Sequence, residues 1–210
     1  MFWRTPAPMR RPHGFIPPCI PTSARRPPAG PQWIHEIKHD GYRLVACVRS
    51  GRVRLFTRRG YDWADRYPQI VAAALAIGAD VTIDGEAVVC GDDGVSDFAR
   101  LHGRQHDAAA ILYAFDLLEL AGDDLRPRPL EERKARLAKL LSRVPVAIRY
   151  NEHLAGDGAT VFTHACRMGL EGIVSKDRTR GYRSGRARHW LKIKNPQAPG
   201  TLRFKGPADA

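Results

Sequence analysis

Two alternating runs, YRLVACVR (Tyr42 to Arg49) and RVRLFTR (Arg52 to Arg58), flank the dipeptide Ser50-Gly51. Strict alternation puts one set of side chains on each face of an extended strand, and a two-residue turn fixes which strand it pairs with. The stretch predicts a β-hairpin, so antiparallel sheet is the frame for the remaining segments. RYPQIVAAALAIG reads as a helix ending at Gly78, VTIDGEAVVC as a strand closed by GDDG, and AAAILYAFDLLEL as a central strand. Ser96 is a candidate cap for a short helix through Arg104.

Further on, PLEERKARLAKLLSRV places Leu130, Leu137, Leu140, Leu141 and Val144 on one helical face. VAIRYN is a strand candidate, and GATVFTHACRMG a helix closed by Gly169. GIVSK and HWLKIKN read as short strands joined by the basic loop DRTRGYRSGRAR. Hairpins mixed with occasional helices indicate an α+β fold rather than a regular βαβ chain. The Pro- and Arg-rich stretch up to residue 32 reads as irregular, with order beginning near Trp33. The expected organisation is an irregular segment over 1–30, one domain over 31–196 and a tail over 197–210.

The formal charge is +12 and the pI about 10.1. A surplus of this size points to a polyanion, most simply nucleic acid, with a merely solubilising surface as the plain alternative. Four scattered cysteines form no CxxC pair, which disfavours a zinc site or disulfide scaffold and favours a reducing cytoplasm. No apolar run approaches the ~20 residues of a membrane span, and MFWRTPAPMRRP lacks the apolar stretch of a secretory signal.

Of the 34 basic residues, 27 are Arg and 7 are Lys. Arginine stays protonated, whereas lysine gives up its proton in a suitable setting. Four of the lysines fall in short motifs: Lys38 in HEIKHDGYR, Lys176 in LEGIVSK, and Lys192 and Lys194 in WLKIKN. Period-two geometry puts Lys192 and Lys194 on one strand face, and Asp84 and Glu86 of DGEAVV on another. Two amines on one face favour an anion between them. Glu86 and Glu171 beside them suggest a divalent ion such as Mg²⁺ (or Mn²⁺), which prefers oxygen ligands. The residue types thus suggest a lysine, phosphate and metal site.

The ordered set KxDGxR, DGE, YAFDLL, EGIVSK and WLKIK resembles the nucleotidyltransferase domain of ATP-dependent DNA ligases, above all the ligase module of bacterial end-joining ligases. The likeness runs from about Phe15 to Pro196. It implies a nucleotidyltransferase (ATP-grasp-like) fold of twisted, mainly antiparallel sheets with ATP between them. It also implies a reaction: Lys38 becomes lysyl-AMP, the AMP passes to a DNA 5′-phosphate, and a 3′-hydroxyl seals the break in duplex DNA.

The resemblance places Glu36 at the adenine edge and Arg43 on the ribose and later the nick phosphate. It makes Arg58 of FTRRG a nucleotide or DNA contact, Glu86 a ribose or metal ligand, and Phe115 the ring that stacks on adenine. Glu171 becomes a metal ligand, Lys192 and Lys194 the grip on the α-phosphate, and Lys176 a helper. Nearby cations would keep the Lys38 amine uncharged for attack.

Plainer readings stand beside these: Phe115 and Trp190 as core, Asp116 as a strand end, and His102 with His106 as a solvated pair. Only about fifteen residues follow Asn195, too few for the OB-fold domain that most of these ligases carry there. Three readings stay open: a separate OB-domain or DNA-end-binding protein assists, the domain is a weak ligase alone, or it is a remnant. The alternatives are an RNA ligase or capping-type nucleotidyltransferase, and a basic DNA-binding module without turnover.

Overall fold

The structure, a computed structural model, describes Pro12 and residues 14–202. The expectations for residues 1–11, 13 and 203–210, including the basic start of the chain and most of its tail, lie outside the described residues. Eleven strands and five α-helices lie among the described residues. They are β1 (Cys19–Ser23), β2 (Trp33–Ile37), β3 (Tyr42–Arg49), β4 (Arg52–Thr57), α1 (Pro68–Leu75), β5 (Val81–Val88), α2 (Phe98–His102) and β6 (Ile111–Leu120). Then come β7 (Asp123–Asp124), α3 (Leu130–Leu141), β8 (Ile148–Tyr150), β9 (His153–Ala155), α4 (Gly158–Arg167), β10 (Gly172–Asp177), β11 (Gly185–Lys194) and α5 (Pro199–Leu202).

The hairpin is β3–β4, with Arg49 opposite Arg52. Its turn holds Ser50 at φ 48° and Gly51 at φ 73°, the double positive φ that matches the twist of a tight hairpin. Five strands form one sheet in the order β1-β11-β10-β2-β9, and five form the path of a second, β4-β3-β5-β6-β7, with β8 also paired to β6. Pairing is antiparallel except for β1 with β11 and β6 with β8.

The main core lies in the second sheet, where Leu44, Ile83, Leu112 and Leu117 meet Ile70 of α1 and Leu137 and Leu141 of α3. A second cluster, with Ile34, Phe115, Leu130 and Trp190, draws on β2, β6, α3 and β11 and so joins the sheets. Ala165 and Leu170 close α4 onto Ile173 and Ile193 of the first sheet.

Three expectations change. Cys19–Ser23 is a strand, not irregular chain. Its own sequence, CIPTS, carries a proline and little alternation, and its order comes from pairing with β11 across more than 160 residues. The cap of α2 is Asp97, whose carboxylate accepts the N–H groups of Ala99 and Arg100, while the Ser96 hydroxyl accepts the N–H of Asp40. Residues 199–202 form a helical turn inside the expected tail.

The crossover from one sheet to the other is KHDG, residues 38–41, between β2 and β3. A β-carbon on Gly41 would lie 2.1 Å from the carbonyl oxygen of Ala87, so only glycine lets this crossover lie against β5. Gly172 is alike: φ is +133°, and a β-carbon there would lie 2.0 Å from the Ile193 oxygen. Both glycines thus sit in the sequence motifs and permit close backbone approach, Gly41 of the crossover to β5 and Gly172 of β10 to β11.

Candidate active site

Lys38 opens the crossover. Its main-chain N–H donates to the Gly172 carbonyl at 3.0 Å, tying it to β10. Its ammonium lies 2.5 Å from Glu171 Oε2, and Lys194 approaches the other oxygen at 3.7 Å. Six residues singled out in the sequence, Glu36, Lys38, Arg43, Glu86, Phe115 and Lys176, line one cavity of about 90 Å³ together with His39, Val174 and Trp190. Lys192 and Lys194 line an adjoining groove with Arg25 and Phe162. Arg58 is exposed on the turn after β4, where its charge is felt by Lys192.

A larger cleft of about 900 Å³ borders Glu171, but Asp40, Asp92, Asp93 and Asp97 line it. Such a lining repels a polyanion, so the smaller cavity is the better place for nucleotide chemistry.

Electrostatics sort the carboxylates. Burial pushes Glu86 up to about 7 against the pull of Arg43 and Lys38. Burial acts on Glu36 too, yet Lys134 and Lys176 outweigh it and hold Glu36 below the ordinary range. Lys134 donates to one Glu36 oxygen at 2.6 Å, and Lys176 pairs with the other at 2.7 Å. The Lys176 contact is a close ion pair without hydrogen-bond angles. Lys176 also sits 4.2 Å from the Phe115 ring centre and 3.9 Å from that of Trp190. Burial, then Lys134, lowers it to about 8, against the pull of Glu36. Lys192 is lowered by burial and by the charges of Lys194 and Lys38.

The first neighbour of Lys38 is thus a carboxylate, not the cations expected from the sequence. Glu171 precedes the tight β10–β11 pairing that Gly172 permits, and this delivers its side chain to the crossover. Arg43 is held by Asp84 through two bonds of 2.5 and 2.8 Å, and its guanidinium carbon lies 4.4 Å from the Phe115 centre. Phe115 is therefore both a core residue and a cavity wall. Arg43 and Lys176 crowd its ring, which explains a cavity well below the ~300 Å³ of a typical ligand site.

Asp116 is withdrawn from any metal role. It is fully buried and takes two bonds from Arg133, at 2.7 and 2.8 Å. Among the described residues no trio of His, Cys, Asp or Glu converges as a metal site, so Glu86 and Glu171 would form only part of a shell. His102 is exposed, with Nδ1 2.8 Å from the Tyr42 hydroxyl.

Sequence reasoning missed Lys134, His39 and Tyr182. Lys134 had a signal, since it stands four residues after Leu130 and three before Leu137, on the apolar face of α3. His39 stacks on Tyr113 with centroids 4.1 Å apart and pairs with Asn151 at 3.1 Å.

The sequence matches the ATP dependent DNA ligase domain over residues 24–194. The chain belongs to this family. Within it, this ligase domain is 40% identical over 185 residues to the multifunctional non-homologous end joining protein LigD of Pseudomonas aeruginosa, covering 86% of the chain and 22% of that protein. It is 37% identical over 166 residues to the multifunctional non-homologous end joining DNA repair protein LigD of Mycobacterium tuberculosis, covering 78% and 22%. A solved structure described as mycobacterial DNA ligase D complexed with ATP and MES superimposes with a TM-score of 0.77 at 34% identity, over 84% of this chain and 59% of that one. The ligase domain thus spans about a fifth of the length of the curated relatives it matches. Its fold is the nucleotidyltransferase α+β architecture expected above. No helix among the described residues is long and apolar enough to cross a membrane.

Proposed function

We propose that this domain carries out ATP-dependent DNA ligation through a lysyl-AMP intermediate on Lys38, in the repair of breaks in duplex DNA. The observation that carries the reading is the placement of Lys38. It stands at the seam between the sheets, in one cavity with Glu36, Arg43, Glu86, Phe115 and Lys176, and it touches Glu171.

In the first step the neutral amine of Lys38 attacks the α-phosphorus of ATP. A P–N bond forms, the bond to the β-phosphate oxygen breaks, pyrophosphate leaves with the electron pair, and the amine proton passes to solvent. Lys38 begins hydrogen-bonded to Glu171, so that contact opens before attack. Lys192 and Lys194 flank Lys38 and stabilise negative charge on the α-phosphate oxygens. Arg43 holds the ribose, and Phe115 takes the base once Lys176 withdraws from its ring. Glu36 sets the base edge through its two lysines. Arg58 meets phosphate at the rim.

Glu86 and Glu171 would hold a divalent ion, Mg²⁺ or Mn²⁺, which would supply positive charge at the phosphates. Glu86 supports this reading: burial has raised it, and among the described residues no cation pairs with its carboxylate within 4.0 Å. Two carboxylates plus substrate oxygens is a common magnesium set.

In the later steps a DNA 5′-phosphate oxygen attacks the same phosphorus and releases Lys38. A 3′-hydroxyl then attacks the 5′-phosphorus, and AMP departs. The test is intact mass after treatment with ATP or GTP and Mg²⁺. The expected result is an AMP adduct with ATP on the wild type and none on Lys38→Ala. A GMP adduct instead would favour a capping-type enzyme. DNA binding with no adduct on either protein would favour a non-catalytic module.

A further inference from the structure

Tyr182 belongs to the arginine-rich segment between β10 and β11, yet its hydroxyl reaches inward to the groups that hold Arg43, a residue of the cavity wall. It donates to Asp84 Oδ2 at 2.6 Å and accepts the main-chain N–H of Cys19 at 2.8 Å. Arg43 Nη2 donates to the same Asp84 oxygen at 2.8 Å and to the Cys19 carbonyl at 3.1 Å. These four bonds close a ring through Tyr182, Asp84, Arg43 and the backbone of Cys19. Arg43 Nε adds a fifth bond, 2.5 Å to Asp84 Oδ1. Asp84 has no solvent exposure.

Tyr182 is itself a fixed post. Its N–H donates to the Arg126 carbonyl at 2.7 Å, and its ring meets Trp190 edge-on, 6.1 Å between centres. The ring of bonds occupies Nε and Nη2 of Arg43. Nη1 has no acceptor among the described residues, and Arg43 lines the cavity.

We propose that Tyr182 is a positioning residue for Arg43: by fixing Asp84 and β1, its hydroxyl sets the direction in which the guanidinium meets the nucleotide. The inference rests on the role given to Arg43 above and extends it. Two bonds from one carboxylate leave a guanidinium free to rock about their common axis, and the closed ring removes that freedom. Misdirection of a group that orients the substrate lowers the rate of attack more than it weakens binding.

The test is Tyr182→Phe, which keeps the ring against Trp190 and removes only the hydroxyl. Adduct formation on Lys38 is followed by intact mass as ATP is varied. The maximal rate should fall roughly tenfold, the loss of one hydrogen bond to a charged group, while half-saturating ATP changes by less than about twofold. Arg43→Lys and the double variant complete a cycle, in which the tyrosine change should cost less than about twofold in the lysine background. Exchange of the Arg43 Nε–H with solvent needs no turnover and should quicken in Tyr182→Phe; if Arg43→Lys forms no adduct, this measurement decides alone. Equal losses in both backgrounds, or unaltered rate and exchange, overturn the role of Tyr182 and leave the functional reading standing. A wild-type chain that forms no adduct overturns both.

Discussion

The ammonium of Lys38 and the carboxylate of Glu171 meet at 2.5 Å at the edge of the first sheet, where the chain leaves it for the second. One partner comes from the crossover after β2, and the other from the residue before β10. A salt bridge here needs only two opposite charges, whereas group transfer needs an amine. Lys38→Arg should therefore keep the pair and the melting temperature, yet give no AMP adduct, because a guanidinium stays charged and is a poor nucleophile. Intact mass and a thermal melt on one preparation check this. An adduct on the arginine variant would mean that another group is the nucleophile.

Arg133 and Asp116 form a pair 1% and 0% exposed, between α3 and β6. Removing one partner of such a pair leaves an unpaired group in the core, at a cost of about 3–5 kcal/mol. Arg133→Met should lower the urea midpoint accordingly. Lys134→Met should cost less, about 1–3 kcal/mol, since Glu36 keeps Lys176 as a partner. Equal losses in the two variants would contradict the sharing of Glu36 between two amines.

Glu86 gives a pH signature. Burial raises its folded pKa from the ordinary 4.5 to about 7. Between those values the folded chain holds a proton that the unfolded chain has lost. By linkage, this group's contribution to stability is full below 4.5, falls as pH rises towards 7, and is flat above. In metal-free buffer Glu86→Gln should remove that slope, worth at most about 3 kcal/mol. Denaturation midpoints from pH 4.5 to 8 measure it. A slope that persists unchanged in the glutamine variant would assign it to another group.

Gly41 and Gly51 are both glycines beside β3, but they should respond differently to alanine. At Gly51 a β-carbon meets nothing within 4 Å, so only the positive φ opposes it, about 1 kcal/mol. At Gly41 it would lie 2.1 Å from the Ala87 carbonyl, and the crossover would have to part from β5. Gly41→Ala should unfold the chain or shift its melt by many degrees, and abolish the adduct. Gly51→Ala should do neither.

The hairpin, the apolar strand β6 and the helices α1, α3 and α4 were legible because each declares itself within a dozen residues. Strand β1 was not, since its order comes from β11, far along the chain. The site was legible as a set of motifs, but its internal pairing was not. No local pattern shows that Lys134 on α3 shares Glu36 with Lys176 on β10, or that Glu171 reaches Lys38. Tyr182 was hidden for the same reason: the loop around it reads only as a basic segment, and only the folded chain turns its hydroxyl inward onto Asp84.

Arginines outside the cavity separate into neutralised and available charges, and DNA binding should tell them apart. Each phosphate neutralised on duplex DNA contributes about −0.9 to the slope of log K against log salt. Arg126 is held by both oxygens of Asp124, at 2.8 Å each, so its charge is largely cancelled. Arg186 is exposed on β11 and its charge is felt by Lys192. Arg186→Ala should therefore flatten the slope by about one unit and weaken binding to all duplex sequences alike, without altering the lysyl-AMP yield. Arg126→Ala should leave both slope and yield unchanged. Titration of a labelled nicked duplex at several salt concentrations measures this, and equal slopes for the two variants would place the DNA away from the Lys192 side of β11.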